Sequence, residues 1–117
     1  MVGHPIYEAL DPDNPASLSP VVLTLLRTEF GFDGVAVTDA FSMAGVREGR
    51  TLGEVTVEAL IAGEDLLIVD NPPEVAEVVA VIEQAVADGT LSRDRLAEAA
   101  GRVRRLAMKA APVGCDE

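Results

Sequence analysis

Asp39 is the residue of this chain best suited to chemistry. It closes the string GFDGVAVTD, residues 31–39, in which Gly31 and Gly34 punctuate a turn and Val35-Ala36-Val37 form a short apolar run. Such a run reads as a strand buried on both faces, as a parallel sheet requires. The first polar residues after it, Thr38 and Asp39, then emerge at the C-terminal rim of the sheet, where α/β proteins place reactive groups. A carboxylate there acts as a nucleophile only while ionised. Backbone N–H donors from the loop 38–42, with some solvent, favour that form. The competing reading of Asp39 is a cap on the turn that follows.

Few other side chains offer chemistry. His4 is the sole histidine, and a lone histidine near a strand end is commonly hydrogen-bonded in a core. Phe41 and Met43 either wall a site beside Asp39 or belong to the core. Asp70 follows an apolar run and faces the same rim or caps the next helix. Cys115 is the only cysteine, so no internal disulfide can form, and no histidine stands near it to make a catalytic thiol. One histidine and scattered acids lack metal-ligand spacing, so no metal cluster is expected. No phosphate-cradling glycine motif and no G-x-S-x-G string is present.

The elements that must position Asp39 follow from periodicity and punctuation. Residues 1–6 read as a strand with His4 near its end, and 8–19 as an Asp-, Pro- and Asn-rich loop. Ser19-Pro20 starts a helix with Ser as N-cap and Pro in the first position. Val22, Leu23, Leu25 and Leu26 give it an apolar face, and Gly31 stops it. Residues 34–38 form a second strand, and 41–53 a loop with Arg47, Glu48 and Arg50. A second helix spans 54–62 and ends at Gly63; a third strand spans 66–69. After a turn at 70–73, Val75, Val78, Val79, Ile82 and Val86 mark an amphipathic helix ended by Gly89. Ser92 caps a last helix to about Ala110, with Leu96, Ala99, Val103 and Leu106 inward. The order β-α-β-α-β-α-α implies right-handed crossovers and a parallel sheet. Three short strands leave one sheet face and both edges uncovered.

Composition bounds the partners. The chain has 117 residues, 49% hydrophobic and 3% aromatic, which suits helices packed on parallel strands in one small domain. A net charge of −11 argues against nucleic acid, which needs clustered Lys and Arg. The local basic cluster, Arg102, Arg104, Arg105 and Lys109, sits near a helix C-terminus, where the macrodipole favours it. No apolar run approaches the roughly 20 residues of a membrane span. No signal-peptide-like segment precedes the first strand, which leaves the compartment open with the cytoplasm favoured.

The string around Asp39 resembles the nucleophile region of the family 3 glycoside hydrolases, in their β-N-acetylhexosaminidase branch. Gly31, Phe32, Gly34, Thr38, Asp39 and Met43 match its GF-x-G-hydrophobic-hydrophobic-(S/T)-D-x-x-x-M form. The likeness continues in Met1-Val2-Gly3-His4-Pro5, Leu10-Asp11, residues 15–20, Leu25-Leu26-Arg27, residues 62–67 and Gly101-Arg102-Val103. It implies an α/β fold, a partial (β/α)8 TIM-barrel-like piece made of the last three βα units plus a C-terminal helix, with residues 1–117 a C-terminal fragment of the catalytic barrel domain. It implies Asp39 as nucleophile of a retaining mechanism, needing no cofactor, and β-linked N-acetylglucosamine-type glycosides as substrates. It implies that His4 and Met43 line the sugar pocket and that Asp65, in an AG-x-D element, ties a helix end to a strand. Asp11 matches an aspartate of the loop after the histidine strand.

Departures matter equally. Ala40 stands where many relatives carry a second acid. Nothing matches the upstream K-H-F-P-G-H-G-type segment, whose Lys and first His bind sugar and which brings the general acid, nor the Asp and Arg of the first barrel half. The isolated chain is therefore expected to be inactive or nearly so. Two alternatives stand beside this reading: a non-enzymatic remnant that self-associates or pairs with a missing barrel half, and a β-glucosidase-like relative, although glucosidases usually show an aromatic at the position of Ala40.

Overall fold

The computed structural model describes residues 1–43 and 45–110. It is an α/β structure with helices α1 (Pro20–Thr28), α2 (Leu52–Ala62), α3 (Val75–Asp88) and α4 (Arg93–Lys109) and strands β1 (Val37–Ala40) and β2 (Leu66–Ile68). The strands pair in parallel. Cys115 lies outside the described residues.

Two strands form where three are expected. Residues 1–6 make only a bridge between Val2 and Thr38, so the first strand is reduced to one pairing beside β1. Gly3 and Pro5 explain this: neither supports a regular ladder, since proline donates no N–H. The second strand begins at Val37 and runs to Ala40, later than residues 34–38, and the third stops at Ile68.

The helices follow their caps. Ser19 Oγ accepts the Val22 N–H, with Pro20 at the first position. The second helix starts before Glu54, because Thr51 and Glu54 form a reciprocal capping box. A single turn of 3-10 helix, Pro72–Glu74, precedes α3, and Gly89 ends α3 in a left-handed conformation. Ser92 caps α4 by accepting the Arg95 N–H.

Helix α2 is the centre of the packing. Its Leu52, Val55 and Ala59 join Leu18, Phe41, Val46 and Val78 in one cluster. Its Val57 and Leu60 join Ala85 and Leu91 in a second. Leu67 of β2 and Ile82 of α3 touch both clusters, so the core is continuous from the helices to the strand. Phe41 is fully buried in it. Two glycines permit the close approaches. A Cβ on Gly53 would meet Val81 Cγ2 of α3 at 3.0 Å. Gly63 has φ 128° and would meet Leu23 Cβ of α1 at 3.0 Å.

Gly63→Ala is therefore expected to lower stability by about 1–3 kcal/mol through backbone strain and overpacking. Denaturant unfolding followed by circular dichroism measures it; an unchanged midpoint contradicts this packing.

Candidate active site

The strand that carries Asp39 is irregular just where the aspartate stands. Val37 pairs with Leu66 and Ala40 with Ile68, so β1 holds one more residue than β2 between the two pairs. Such a bulge bends a strand and re-aims a side chain. Thr38 stabilises it. Its hydroxyl, fully buried, accepts the Ile68 N–H at 3.0 Å and stands in for a ladder carbonyl. This gives a physical role to the Thr that precedes the aspartate.

Asp39 is half-buried at the end of β1. Its N–H donates to the Val2 carbonyl at 3.0 Å, and its Oδ1 accepts the Ala40 N–H at 2.8 Å. The strand-end loop thus supplies one backbone donor to the carboxyl group. The loop is held on every side. Phe41 N–H donates to the Ile68 carbonyl, Arg47 Nε donates to the Phe41 carbonyl at 2.9 Å, and Met43 N–H closes a turn onto the Ala40 carbonyl.

His4 is spent on this loop. Its Nε2 donates to the Ala40 carbonyl at 3.1 Å, and its Nδ1 shares a hydrogen bond with Ser17 Oγ at 2.6 Å. The ring stacks on Phe41 at 6.1 Å between centroids. Phe41 is therefore core rather than a pocket wall. Met43 is 47% exposed at the rim. Asp70 caps no helix. It accepts a hydrogen bond from Ser42 Oγ, which holds its carboxyl below the usual range, with Arg47 adding to the effect. Arg47 also pairs with Glu74 at 3.7 Å. The Ser42–Asp70 bond carries no sequence signal, because it joins loops 28 residues apart.

The opposite end of the sheet is charged and structural. Asp65, 7% exposed, accepts from Ala36 N–H at 3.0 Å, Arg27 at 2.6 Å, Arg95 at 2.8 Å and Arg102 at 3.3 Å. Burial pulls its pKa up, but Arg95, the Ala36 amide and Arg27 outweigh that and hold it low. Arg102 thus serves Asp65 and Glu98, not only the helix dipole. Beside it, Glu64 is fully buried and neither carboxyl oxygen has a partner among the described residues. Burial, with the Asp65 charge, pushes it up to about 8. Asp11 is structural too: it accepts from Ser19 Oγ at 2.6 Å and from the Asp13 and Asn14 amides, tying the loop to the start of α1. Among the described residues no helix is long and apolar enough to cross a membrane.

A parallel α/β sheet with a carboxylate at its C-terminal rim and an arginine-clamped base defines the class. The sequence profile of the glycosyl hydrolase family 3 N terminal domain matches residues 1–106, and the chain belongs to that family. It is 42% identical over 80 residues to a β-hexosaminidase of Chromobacterium violaceum, covering 68% of this chain and 22% of that protein. It is 37% identical over 106 residues to a β-hexosaminidase of Methylococcus capsulatus, covering 89% and 31%. Among solved structures, a family 3 glycosyl hydrolase from Mycobacterium smegmatis aligns with a TM-score of 0.81 at 35% identity, covering 87% of this chain and 33% of that one. The chain thus spans less than a third of the length of each of these two β-hexosaminidases.

Two outcomes test this geometry. Thr38→Val keeps the shape but leaves the Ile68 N–H without an acceptor, at a cost of about 1–3 kcal/mol; calorimetry showing no loss contradicts it. Glu64 binds its proton more tightly folded than unfolded. Its contribution to stability is therefore greatest below its ordinary 4.5, declines as pH rises to about 8, and is flat above, by at most about 5 kcal/mol. Unfolding midpoints across pH 5–9 should show Glu64→Gln removing that decline, and an identical decline in the variant contradicts the assignment.

Proposed function

We propose that this chain is the nucleophile-bearing segment of a retaining β-N-acetylhexosaminidase-type glycoside hydrolase, with Asp39 as nucleophile. The carboxylate attacks the anomeric carbon of a β-linked N-acetylglucosamine-type glycoside. The bond to the leaving oxygen breaks as an acid protonates that oxygen. A glycosyl–Asp39 ester forms, and water then opens it, giving its proton back to the same group. His4 positions the Ala40 carbonyl beside the reacting carboxylate, and Met43 borders the sugar. The fold belongs, in this reading, to the last three βα units of an eight-fold barrel.

One observation supports the proposal: the rim holds a partly solvated carboxylate, Asp39, and its neighbours Asp70 and His4 are not placed to act as its acid. Asp39 keeps one carboxyl oxygen free of side-chain and backbone partners among the described residues. Asp70, on the same rim, is held ionised by Ser42 and is unsuited to proton donation. Both nitrogens of His4 are engaged. The acid must come from chain beyond these residues, and its loss alone costs about 10²–10⁴ in rate.

The purified 117-residue chain is expected to hydrolyse an aryl N-acetyl-β-glucosaminide no faster than buffer. Steady turnover that disappears in Asp39→Ala would mean that the acid is present here after all.

A further inference from the structure

Charge is divided along this chain. Residues 51–92 hold nine Asp and Glu and no Lys or Arg, whereas residues 93–109 hold six of the nine Lys and Arg and only two acids. Part of each block meets inside the fold, where Arg95 and Arg102 pair with Asp65. Another part of each faces outward.

The outward acids border a groove of about 480 Å³ between α2 and α3. Val57, Ile61 and Val81 give it an apolar lining, and Ile61 is 46% exposed there. Glu54 and Glu58 stand on the α2 side, Glu77 and Asp88 on the α3 side, and no Lys, Arg or His lines it. Among the described residues Glu58 pairs with Arg50 at 3.0 Å, while Glu77 and Asp88 form no ion pair.

The outward bases lie at the end of α4. Arg104, Arg105, Met108 and Lys109 recur at three- and four-residue spacing, so they share one face, and all four are exposed. Arg95 and Arg102 of the same helix are committed to Asp65, whereas Arg104, Arg105 and Lys109 form no ion pair among the described residues. The helix macrodipole favours cations there. It does not account for Met108, an apolar tip 78% exposed among three cations.

We propose that the end of α4 of one copy docks in the α2–α3 groove of a second copy. Met108 enters between Ile61 and Val81, and Arg104, Arg105 and Lys109 face the acids on the two sides, the arrangement of a helix laid in a groove. The 11 residues of α2 span about 16 Å and Arg104 to Lys109 only about 8 Å at the helical rise, so the helix end fits within the groove. The net charge of −11 opposes the approach of two copies. At physiological ionic strength, however, charges more than about 8 Å apart are largely screened, and the opposite charges that touch decide. The two surfaces differ, so the contact is head-to-tail. Each added copy leaves one groove and one helix end free, and assembly grows chain by chain instead of stopping at a dimer. The contact uses neither the Asp39 rim nor its chemistry.

The test is sedimentation velocity of the full 117-residue chain at about 0.15 M ionic strength. The wild-type sedimentation coefficient should rise steadily with concentration up to about 100 μM. Glu77→Lys with Gln84→Lys makes one side of the groove basic. Arg104→Gln, Arg105→Gln and Met108→Gln together strip the helix end. All five side chains are exposed, so both variants should keep the wild-type circular dichroism spectrum, and each alone should associate at least tenfold more weakly. If either spectrum changes, Glu77→Lys and Arg105→Gln singly serve the same surfaces. Mixed, the two variants retain one good contact, the helix of the first in the groove of the second, and should sediment as a one-to-one complex. A wild type that stays monomeric, association indifferent to both variants, or a mixture that forms no complex or grows beyond two copies would overturn the proposal.

Discussion

One buried carboxylate holds this structure together. Asp65 lies where β2 begins, almost without exposure, and three guanidinium groups and one backbone amide meet it. A charge in that position is tolerable only when its hydrogen-bonding capacity is filled. Filling it fixes α1 through Arg27, α4 through Arg95 and Arg102, and the approach to β1 through Ala36. Arg95 extends the clamp by donating to the Leu60 and Glu64 carbonyls at the C-terminal end of α2. These carbonyls lack helical partners, so the guanidinium also caps α2. The neighbouring Glu64 is the counterpart: the arginines are committed to Asp65, and burial, with the Asp65 charge, favours the protonated form of Glu64, whose carboxyl oxygens have no partner among the described residues.

That base determines what happens at the rim. From the Ala36 amide, held by Asp65, only Val37 and Thr38 separate the clamp from Asp39. The bulge and its Thr38 hydroxyl set the direction in which the aspartate leaves the sheet. His4, Arg47 and the Ile68 carbonyl then fix the loop beyond it. The ion-paired cluster that anchors the helices lies at one end of the strands, and the carboxylate proposed to react lies at the other. A rigid positioning of one carboxylate is compatible with an otherwise incomplete site, because the groups that hold Asp39 all lie close by in the fold of this chain.

Much of this was legible in the residues. Caps at Ser19 and Ser92, stops at Gly63 and Gly89, and the valine periodicity of residues 75–86 located the helices, because each signal acts within a few residues of itself. The α/β class and the family string around Asp39 were legible for the same reason. The first strand was not: an apolar residue beside glycine and proline reads as extended chain, and only tertiary context decides whether a ladder forms. The Thr51–Glu54 box is present in the sequence and starts α2 at Leu52, two residues before the start expected at Glu54. Beyond reach were Asp65 joining Arg95 and Arg102 from 30 and 37 residues away, and His4 joining Ala40 across 36. Pairings of that range depend on how helices dock, not on local pattern.

The central claim is that Asp39 forms the covalent bond to sugar. The direct measurement is to incubate the chain, joined to the part of a family 3 β-hexosaminidase that it does not match, with a fluorinated N-acetylglucosaminide that reacts quickly and hydrolyses slowly, and to map the adduct by peptide mass spectrometry. With Asp39 as nucleophile, one glycosyl group is expected, on Asp39, in the peptide that contains residues 35–43. An adduct on another carboxylate, or turnover of the complete protein with no adduct, would contradict it.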